Sequence, residues 1–279
     1  MNKTNTSIPV LKRSGITATE DGDKASMLNK YFSECFNMAQ PSLSANDRAN
    51  FEVSGECPVD FMCTEEEVYN LLISMDTTKA NGPDRISAKI LRETATSITP
   101  SLTKLFNISI LPGKLPEKWK VSSIVPISKA SDRASLSNYR PTSLLPVVSK
   151  MHFHHLIADY LSEHRPLVNT QWGSQSGKGT FTALLATTYD WFTHLEAGRD
   201  VSSIFFDLRK AFDTVPHRAL MTKLQQLNVS PFILRWICSY LTARQQKAVI
   251  GGEESKLSQS SQVYAGFCVR TPTVSHLHR

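Results

Sequence analysis

The 279-residue sequence predicts an α+β fold, because strands and helices do not alternate regularly along it. Short β-prone runs at Val121–Ile127 and Ile204–Phe206 are separated by long stretches with helical spacing of apolar residues, and no internal repeat is present. This irregular order favours α+β architecture over a regular array of βαβ units. Since 41% of the residues are hydrophobic, the chain can bury a core, and wholesale disorder is not expected.

Residues 1–60 predict an N-terminal extension that is partly flexible and partly helical. Residues 1 to about 24 are polar and rich in Thr and Ser, which is typical of a flexible lead-in. Asp23–Met38 places its apolar residues at helical spacing, so it predicts a short amphipathic helix. Pro41–Pro58 again has the composition of a loop.

The next region predicts three helices around a turn. Thr64 is a candidate N-cap, and Glu67 stands three residues later, where a capping box needs it. The run K-A-N-G-P-D-R at Lys79–Arg85 predicts a Gly-Pro turn that ends this helix. Ile86–Ile98 and Leu102–Leu111 predict two further helices.

Extended segments and more helices follow. Val121–Ile127 is β-prone, and its Pro126 indicates an edge position because proline cannot donate to a ladder. Asn138–Leu145 is extended around Pro141. The remaining predicted elements are helices at Met151–Leu161, Thr180–Leu195, Arg218–Leu227 and Pro231–Leu241, and a hairpin from Ala248 to Tyr264.

Asp207 follows the apolar run Ile204–Phe206, which predicts a strand that ends in a carboxylate. Mg²⁺ is commonly bound by one or two carboxylates together with substrate phosphates, so Asp207 is a candidate metal ligand. Asp is also a frequent helix cap, and a helix is predicted to follow. From this stretch alone, the cap is the favoured interpretation.

The positive charge is concentrated in one part of the chain. The net charge of the chain is +6. Residues 104–178 contain ten Lys or Arg and four acids, so this stretch carries a net charge equal to that of the whole chain. A basic block of this kind is the footprint expected for phosphate-bearing partners. A solvated basic face without a partner has the same composition.

Several other kinds of site are not supported. Gly173–Thr180 (G-S-Q-S-G-K-G-T) lacks the spacing, the residue after Lys and the preceding strand of a P-loop. His152, His154 and His155 have no nearby acid and do not share one helix face, so partly exposed helical histidines are favoured over a metal site. The five cysteines are scattered without a C-x-x-C pair, which favours reduced intracellular thiols.

No apolar run is long enough for a transmembrane helix, and the first residues lack the apolar core of a signal peptide. The sequence therefore predicts an intracellular protein without a membrane partner, and leaves a nuclear or a cytoplasmic location open.

Seven segments, taken in order, resemble the reverse transcriptase of non-LTR (LINE-like) retrotransposons across residues 25–266. They are K-A-N-G-P-D (Lys79–Asp84), L-P-E-K-W-K (Leu115–Lys120), I-V-P-I-S-K (Ile124–Lys129), N-Y-R-P-T-S-L-L (Asn138–Leu145), Q-W-G-S (Gln171–Ser174), F-D-L-R-K-A-F-D-T-V (Phe206–Val215) and W-I-C-S-Y-L-T-A-R-Q-Q (Trp236–Gln246). The resemblance implies the fingers and partial palm of a right-hand polymerase behind an N-terminal helical extension. It divides the chain into the extension at 1–60, a fingers-like region at 61–200 and a partial palm at 201–279.

The resemblance also implies a site for nucleotide polymerisation with RNA template, DNA primer and dNTP as partners and Mg²⁺ as cofactor. Asp207 matches the family's first metal-binding carboxylate, and Phe212 matches the steric gate against the sugar 2′-hydroxyl. Arg140 matches a fingers residue that grips phosphates, and Lys129 is expected to assist it. Backbone amides of the intervening turn are expected to meet the triphosphate; this turn comprises Leu208, Arg209, Lys210 and Ala211. Asp213 is expected to be a structural acid beside the turn.

The sequence departs from the family at its C-terminal end and at Arg85. After Ala265-Gly266 the family continues with Val-Pro-Gln-Gly and later an Asp-Asp turn, whereas this sequence is aberrant from about residue 267, as a frameshift would make it. Arg85 stands where the family usually has Gly after G-P-D. Without the Asp-Asp carboxylates the domain is expected to be catalytically inactive and to expose apolar surface. The alternative is a non-catalytic basic remnant that binds RNA or DNA.

Overall fold

The computed structural model describes residues 8–37, 43, 61–129, 132–154, 156, 172–173, 178–206 and 215–260. Over these residues helices combine with a mixed sheet, so the predicted α+β class is confirmed. The helices are α1 (Asp21–Asn37), α2 (Glu65–Ile73), α3 (Ala88–Glu93), α4 (Ala95–Ile110), α5 (Val147–Phe153), α6 (Thr180–Glu196), α7 (His217–Gln226) and α8 (Pro231–Leu241). The strands are β1 (Leu11–Arg13), β2 (Ile16–Ala18), β3 (Val121–Ser128), β4 (Tyr139–Leu144), β5 (Gln245–Ile250), β6 (Glu253–Glu254) and β7 (Ser258–Gln259).

The larger sheet is built around β3, which lies between β4 and β5. β3 pairs antiparallel with β4 and parallel with β5, and the parallel pair joins Val121 to Gln245. β6 and β7 each pair antiparallel with β5. β1 and β2 form a separate two-stranded antiparallel sheet. The parallel pairing therefore brings two distant parts of the chain into one sheet.

Pro126 does not make β3 an edge strand, so that prediction is wrong. The pairing with β5 covers only Val121–Ile124 and stops before the proline, which has no N–H to donate. On the other side, Pro126 lies directly opposite Pro141. The Lys129 N–H donates to the Asn138 carbonyl at 2.8 Å, and bonded and non-bonded pairs alternate along an antiparallel ladder. The two prolines therefore form a non-hydrogen-bonded pair, in which neither needs an N–H.

Apolar side chains form two buried clusters. The first joins helices α2–α5, α7 and α8, and includes the fully buried His152, whose ring stacks on Phe106 with 4.2 Å between centroids. His152 thus belongs to the core and is not the partly exposed helical histidine that the sequence predicted, whereas His154 is half-buried as predicted. The second cluster lies between α1, the β1–β2 hairpin and one face of the larger sheet, where Ile124 and Ala248 are buried.

Local signals account for α2. The Thr64 hydroxyl accepts from the Glu67 N–H at 3.2 Å, and the Glu67 carboxylate accepts from the Thr64 N–H at 2.8 Å. This is the capping box that the sequence predicted.

The break between the next two helices lies at Thr94, and Pro100 lies inside α4. The sequence predicted the break near Pro100 instead. A buried stripe runs along α4 from Ala95 to Ile110, while Pro100 lies on the exposed side, so tertiary packing of the stripe outweighs the local preference of proline.

Among the helices of the described residues, none is both long enough and apolar enough to cross a membrane.

Candidate nucleic-acid interface

Lys129 and Arg140 lie on the same face of the ribbon formed by β3 and β4. Arg140 is paired with Ile127, and Lys129, one residue past the end of β3, continues the ladder through its N–H bond to the Asn138 carbonyl. Side chains of directly paired residues share a face, and residues two apart on a strand share it too. Both cations are exposed to solvent. Two residues predicted to grip phosphates are therefore presented together.

The opposite face of the ribbon fixes this orientation. Tyr139 is buried in the second cluster beside Ile124, and its hydroxyl donates to the Arg133 carbonyl at 2.6 Å. Burial is also the main reason why the pKa of Tyr139 is raised above its ordinary value. Because side chains alternate along a strand, a buried Tyr139 forces its neighbour Arg140 to the exposed side.

The same side of the sheet continues onto β5 but is largely covered there, since Ser123 is 6% exposed and the Lys247 side chain is 18% exposed. Lys247 is the register partner of Ser123, which lies on the same side of β3 as Ile127 and Lys129. From residue 123 to residue 129 the strand advances about 20 Å. We call this surface, defined by Lys129, Arg140 and Lys247, the basic face.

Glu254 lies next to the basic face and partly neutralises it. Its carboxylate forms an ion pair with Lys247 and lies 3.9 Å from the Arg85 guanidinium. No sequence motif indicates that Lys247 belongs to this surface or that Arg85 lies near it. The strand that carries Lys247 is short, and its partner β3 lies more than a hundred residues earlier, so no local signal could have paired them.

The K-A-N-G-P-D loop packs against the end of β4. A Cβ atom on Gly82 would lie 2.5 Å from the Leu145 carbonyl oxygen and 2.6 Å from Pro146, so only glycine fits. The Arg85 N–H donates to the Gly82 carbonyl at 3.1 Å, which closes the predicted turn. Arg85 itself has a φ of +60°. Two segments of the reverse transcriptase resemblance are thus in direct contact.

Charged groups from this loop surround the start of α5. Lys150 is exposed over much of its surface, yet its pKa is lowered, mainly because burial disfavours its charged form. Asp84 opposes this shift and Lys79 reinforces it, so both side chains lie within electrostatic range of Lys150. The loop therefore adds charge of both signs near the start of α5.

The other predicted site residues lie outside the described residues. They are Asp207, Leu208, Arg209, Lys210, Ala211 and Phe212, together with Asp213. Within the described ranges, no three His, Cys, Asp or Glu side chains are grouped so that they could hold a metal ion.

The strand predicted at Ile204–Phe206 is wrong. Residues 201–206 are in no strand, and the side chains of Ile204, Phe205 and Phe206 are 78%, 82% and 88% exposed. A β-prone run needs a paired strand and an apolar surface to cover it, and within the described part of the chain neither covers this run.

Comparison with known proteins identifies the family of this sequence. A family model described as reverse transcriptase (RNA-dependent DNA polymerase) matches residues 127–270, which is more than half of the chain.

Individual relatives agree with the family match. The RNA-directed DNA polymerase from mobile element jockey of Drosophila melanogaster is 28% identical over 199 residues, covering 70% of this chain and 22% of the relative. The jockey protein of Drosophila funebris is 28% identical over 198 residues, again 70% and 22%. A retrovirus-related Pol polyprotein from type-1 retrotransposable element R2 of Popillia japonica is 28% identical over 136 residues, covering 48% of this chain and 19% of the relative. The chain thus spans about a fifth of the length of these relatives.

Proposed function

The chain belongs to the reverse transcriptase (RNA-dependent DNA polymerase) family, in the branch carried by non-LTR retrotransposons, and from that premise we propose that its basic face binds nucleic-acid phosphates. The observation that carries this proposal is the shared exposed face of Lys129 and Arg140. Cations on a rigid ribbon can hold a phosphate backbone in a fixed position, which is the main task of the protein in phosphoryl transfer. Its partners are an RNA template, a DNA primer and dNTP.

The size of the surface suits a nucleic-acid strand. The two ends of the basic face lie about 20 Å apart along β3, which is the span of about six phosphates on one strand of a duplex, and the Lys129–Arg140 end is the exposed one. Lys247 lies near one end of this length and Lys129 near the other. Glu254, beside Lys247, would repel a backbone there, so the Lys129–Arg140 end is the stronger phosphate site.

The family relationship supports a division of the chain that goes beyond its α+β class. In this proposal residues 1–60 are an N-terminal extension, residues 61–200 form fingers, and residues 201–279 form part of a palm, with an aberrant sequence from about 267. The contact between Gly82 and the end of β4 supports the fingers, since it holds two of the family segments against each other.

We propose that residues 207–212 bind the metal ion and the incoming nucleotide. Asp207 would bind Mg²⁺, which in this family of reactions stabilises the charge that develops on the phosphates. Phe212 would exclude the sugar 2′-hydroxyl, and the backbone amides of Leu208, Arg209, Lys210 and Ala211 would meet the triphosphate. A pair of metals needs more carboxylates than Asp207, and the 279 residues contain no Asp-Asp pair. We therefore propose that the chain as it stands binds primer and template without extending the primer.

Binding is tested with a fluorescent RNA–DNA primer-template and the double variant Lys129→Ala/Arg140→Ala. Anisotropy titrations at several salt concentrations give the affinity and the salt slope. Loss of two phosphate contacts is expected to reduce the slope of log K against log salt by about 2 and to weaken binding about tenfold or more.

The matched control is Lys89→Ala/Arg92→Ala, which removes the same charge from exposed positions on α3. This control should leave the salt slope within about 0.5 of the unmodified chain. If the two double variants lose affinity and salt slope equally, binding depends on net charge alone. The assignment of binding to the basic face would then be wrong.

Catalysis is tested separately by primer extension with Mg²⁺ or Mn²⁺. No extension is expected from the unmodified chain. Extension that disappears in Asp207→Ala would contradict the proposed inactivity while supporting the metal role of Asp207.

A further inference from the structure

Helix α6 has a continuous apolar stripe that faces solvent. The helix has 17 residues, and none of them is buried. Its large apolar side chains are between 53% and 77% exposed; they are Phe181, Leu184, Leu185, Tyr189, Phe192 and Leu195. At 100° per residue these six positions fall on one side of the helix. We call this surface the α6 stripe.

A stripe of this size calls for a covering surface. Helices in proteins gain most of their stability from packing an amphipathic face, and an isolated helix of this length is marginal in water. Large apolar side chains present about 150–250 Å² each when fully exposed, so the α6 stripe offers roughly 700 Å². Exposed apolar patches beyond about 300–600 Å² generally mark a contact surface.

We infer that a second copy of this chain covers the α6 stripe, with the two α6 helices packed antiparallel about a two-fold axis near Thr188. In this register Phe181 of each copy lies opposite Leu195 of the other, and Leu184 lies opposite Phe192. Each contact then joins an aromatic ring to a leucine. Leu185 and Tyr189 flank the axis. The stripe is therefore complementary to itself.

The surface area that two α6 stripes could bury agrees with a stable dimer. Two α6 stripes would bury roughly 1,400 Å² in total, within the range of about 1,200–2,000 Å² for specific protein interfaces. A small additional area would come from Thr188, which lies between the large residues on the same side of the helix.

The charges at the ends of the helix favour the antiparallel arrangement. Lys178 lies just before the first residue of α6, and Glu196 is the last residue of the helix. Antiparallel packing brings these two residues of different copies within about one helical turn of each other, whereas parallel packing would bring like ends together. The positive end of each helix dipole would also lie beside the negative end of the other.

Sedimentation of the purified 279-residue chain over a range of concentrations tests the inference, comparing the unmodified chain with Phe192→Glu. The unmodified chain is expected to show a concentration-dependent monomer–dimer equilibrium. Phe192→Glu places a charge opposite Leu184 of the other copy, twice in each dimer, and should weaken the dimer at least about thirtyfold. The matched control is Ile90→Glu on α3, where the isoleucine is 56% exposed, and this variant should dimerise normally.

Hydrogen exchange of the α6 amides gives a second measurement that does not depend on a variant folding. Protection in residues 180–196 should rise with protein concentration, because dimerisation stabilises the helix. A chain that stays monomeric at all concentrations, with protected α6 amides, would mean that another part of the same chain covers the stripe and would overturn the inference. A dimer that tolerates Phe192→Glu would overturn it as well.

Discussion

Arg85 adopts a backbone conformation that favours glycine, with a φ of +60° at the end of the Gly82–Arg85 turn. The left-handed region costs a residue with a Cβ atom about 1–2 kcal/mol, and part of this is offset by the larger unfolded-state entropy of glycine. We therefore expect Arg85→Gly to raise the free energy of unfolding by about 0.5–1 kcal/mol, measured by urea denaturation.

Arg85→Ala is the control for this prediction. It removes the guanidinium but keeps the unfavourable φ, and the exposed contact to Glu254 at 3.9 Å contributes little. Its stability should remain within about 0.5 kcal/mol of the unmodified chain. If alanine stabilises as much as glycine, backbone strain at this position is not the cause.

Gly82 is a position where a single methyl group should be costly. The added Cβ would overlap backbone atoms of Leu145 and Pro146, which cannot move as a side chain can. Gly82→Ala is expected to lower the free energy of unfolding by about 2 kcal/mol or more, measured in urea. The control is Gly22→Ala in α1, where no atom lies within 4 Å of the new Cβ and alanine favours the helix. A Gly82→Ala chain as stable as the control would show that the loop can lift away from β4 at no cost.

At the scale of the elements, Asn107 joins α4 to the start of α2. Its side-chain oxygen accepts from the Cys63 N–H at 2.8 Å, and its amide donates to the Cys63 carbonyl at 3.0 Å. Asn107→Ala should lower the free energy of unfolding by about 2–3 kcal/mol, because it removes both bonds and leaves backbone groups of a buried residue without partners.

Asn107→Asp separates the two bonds, since a carboxylate can still accept from the Cys63 N–H but cannot donate. The free energy of unfolding, measured by thermal or urea denaturation, should fall less in Asn107→Asp than in Asn107→Ala. Equal stability of Asn107→Ala and the unmodified chain would mean that water replaces the side chain.

Elements with local signals were predictable, whereas the sheet was not. The Thr64–Glu67 capping box defined the start of α2, and the predicted helix at 180–195 corresponds to α6. Pro126 was misread because its effect depends on where the ladder with β5 ends. That ladder joins residues more than a hundred positions apart, and no short-range pattern encodes such a pairing. The shared face of Lys129 and Arg140 likewise depends on the register of β3 and β4.

For the molecule as a whole, the stability at alkaline pH should depend on Cys63. Burial, and then the nearby Glu67 carboxylate, raise the pKa of this thiol from 9.0 to about 12. The unfolded chain releases the thiol proton near pH 9, while the folded chain keeps it. The unfolded state therefore binds fewer protons in this window, and the free energy of unfolding should fall as the pH rises from about 9 towards 12.

The comparison with Cys63→Ala isolates this contribution from the lysines and tyrosines that titrate in the same range. The measurement is urea denaturation of both chains at pH 8.5, 9.5 and 10.5, the first of which lies about half a unit below the unshifted thiol pKa of 9.0. The unmodified chain should lose stability more steeply than the variant. Parallel curves would show that the thiol is accessible to solvent before the chain unfolds.

The facing prolines of β3 and β4 have a consequence for growth of the sheet. β4 is the outermost strand, and in a non-hydrogen-bonded pair the backbone of Pro141 points away from β3, towards the open edge. An incoming strand would find no N–H donor there, and proline on an edge strand is one of the devices that prevent edge-to-edge aggregation. The strand that presents Arg140 can thus remain uncovered for a nucleic acid without becoming a template for cross-β fibrils.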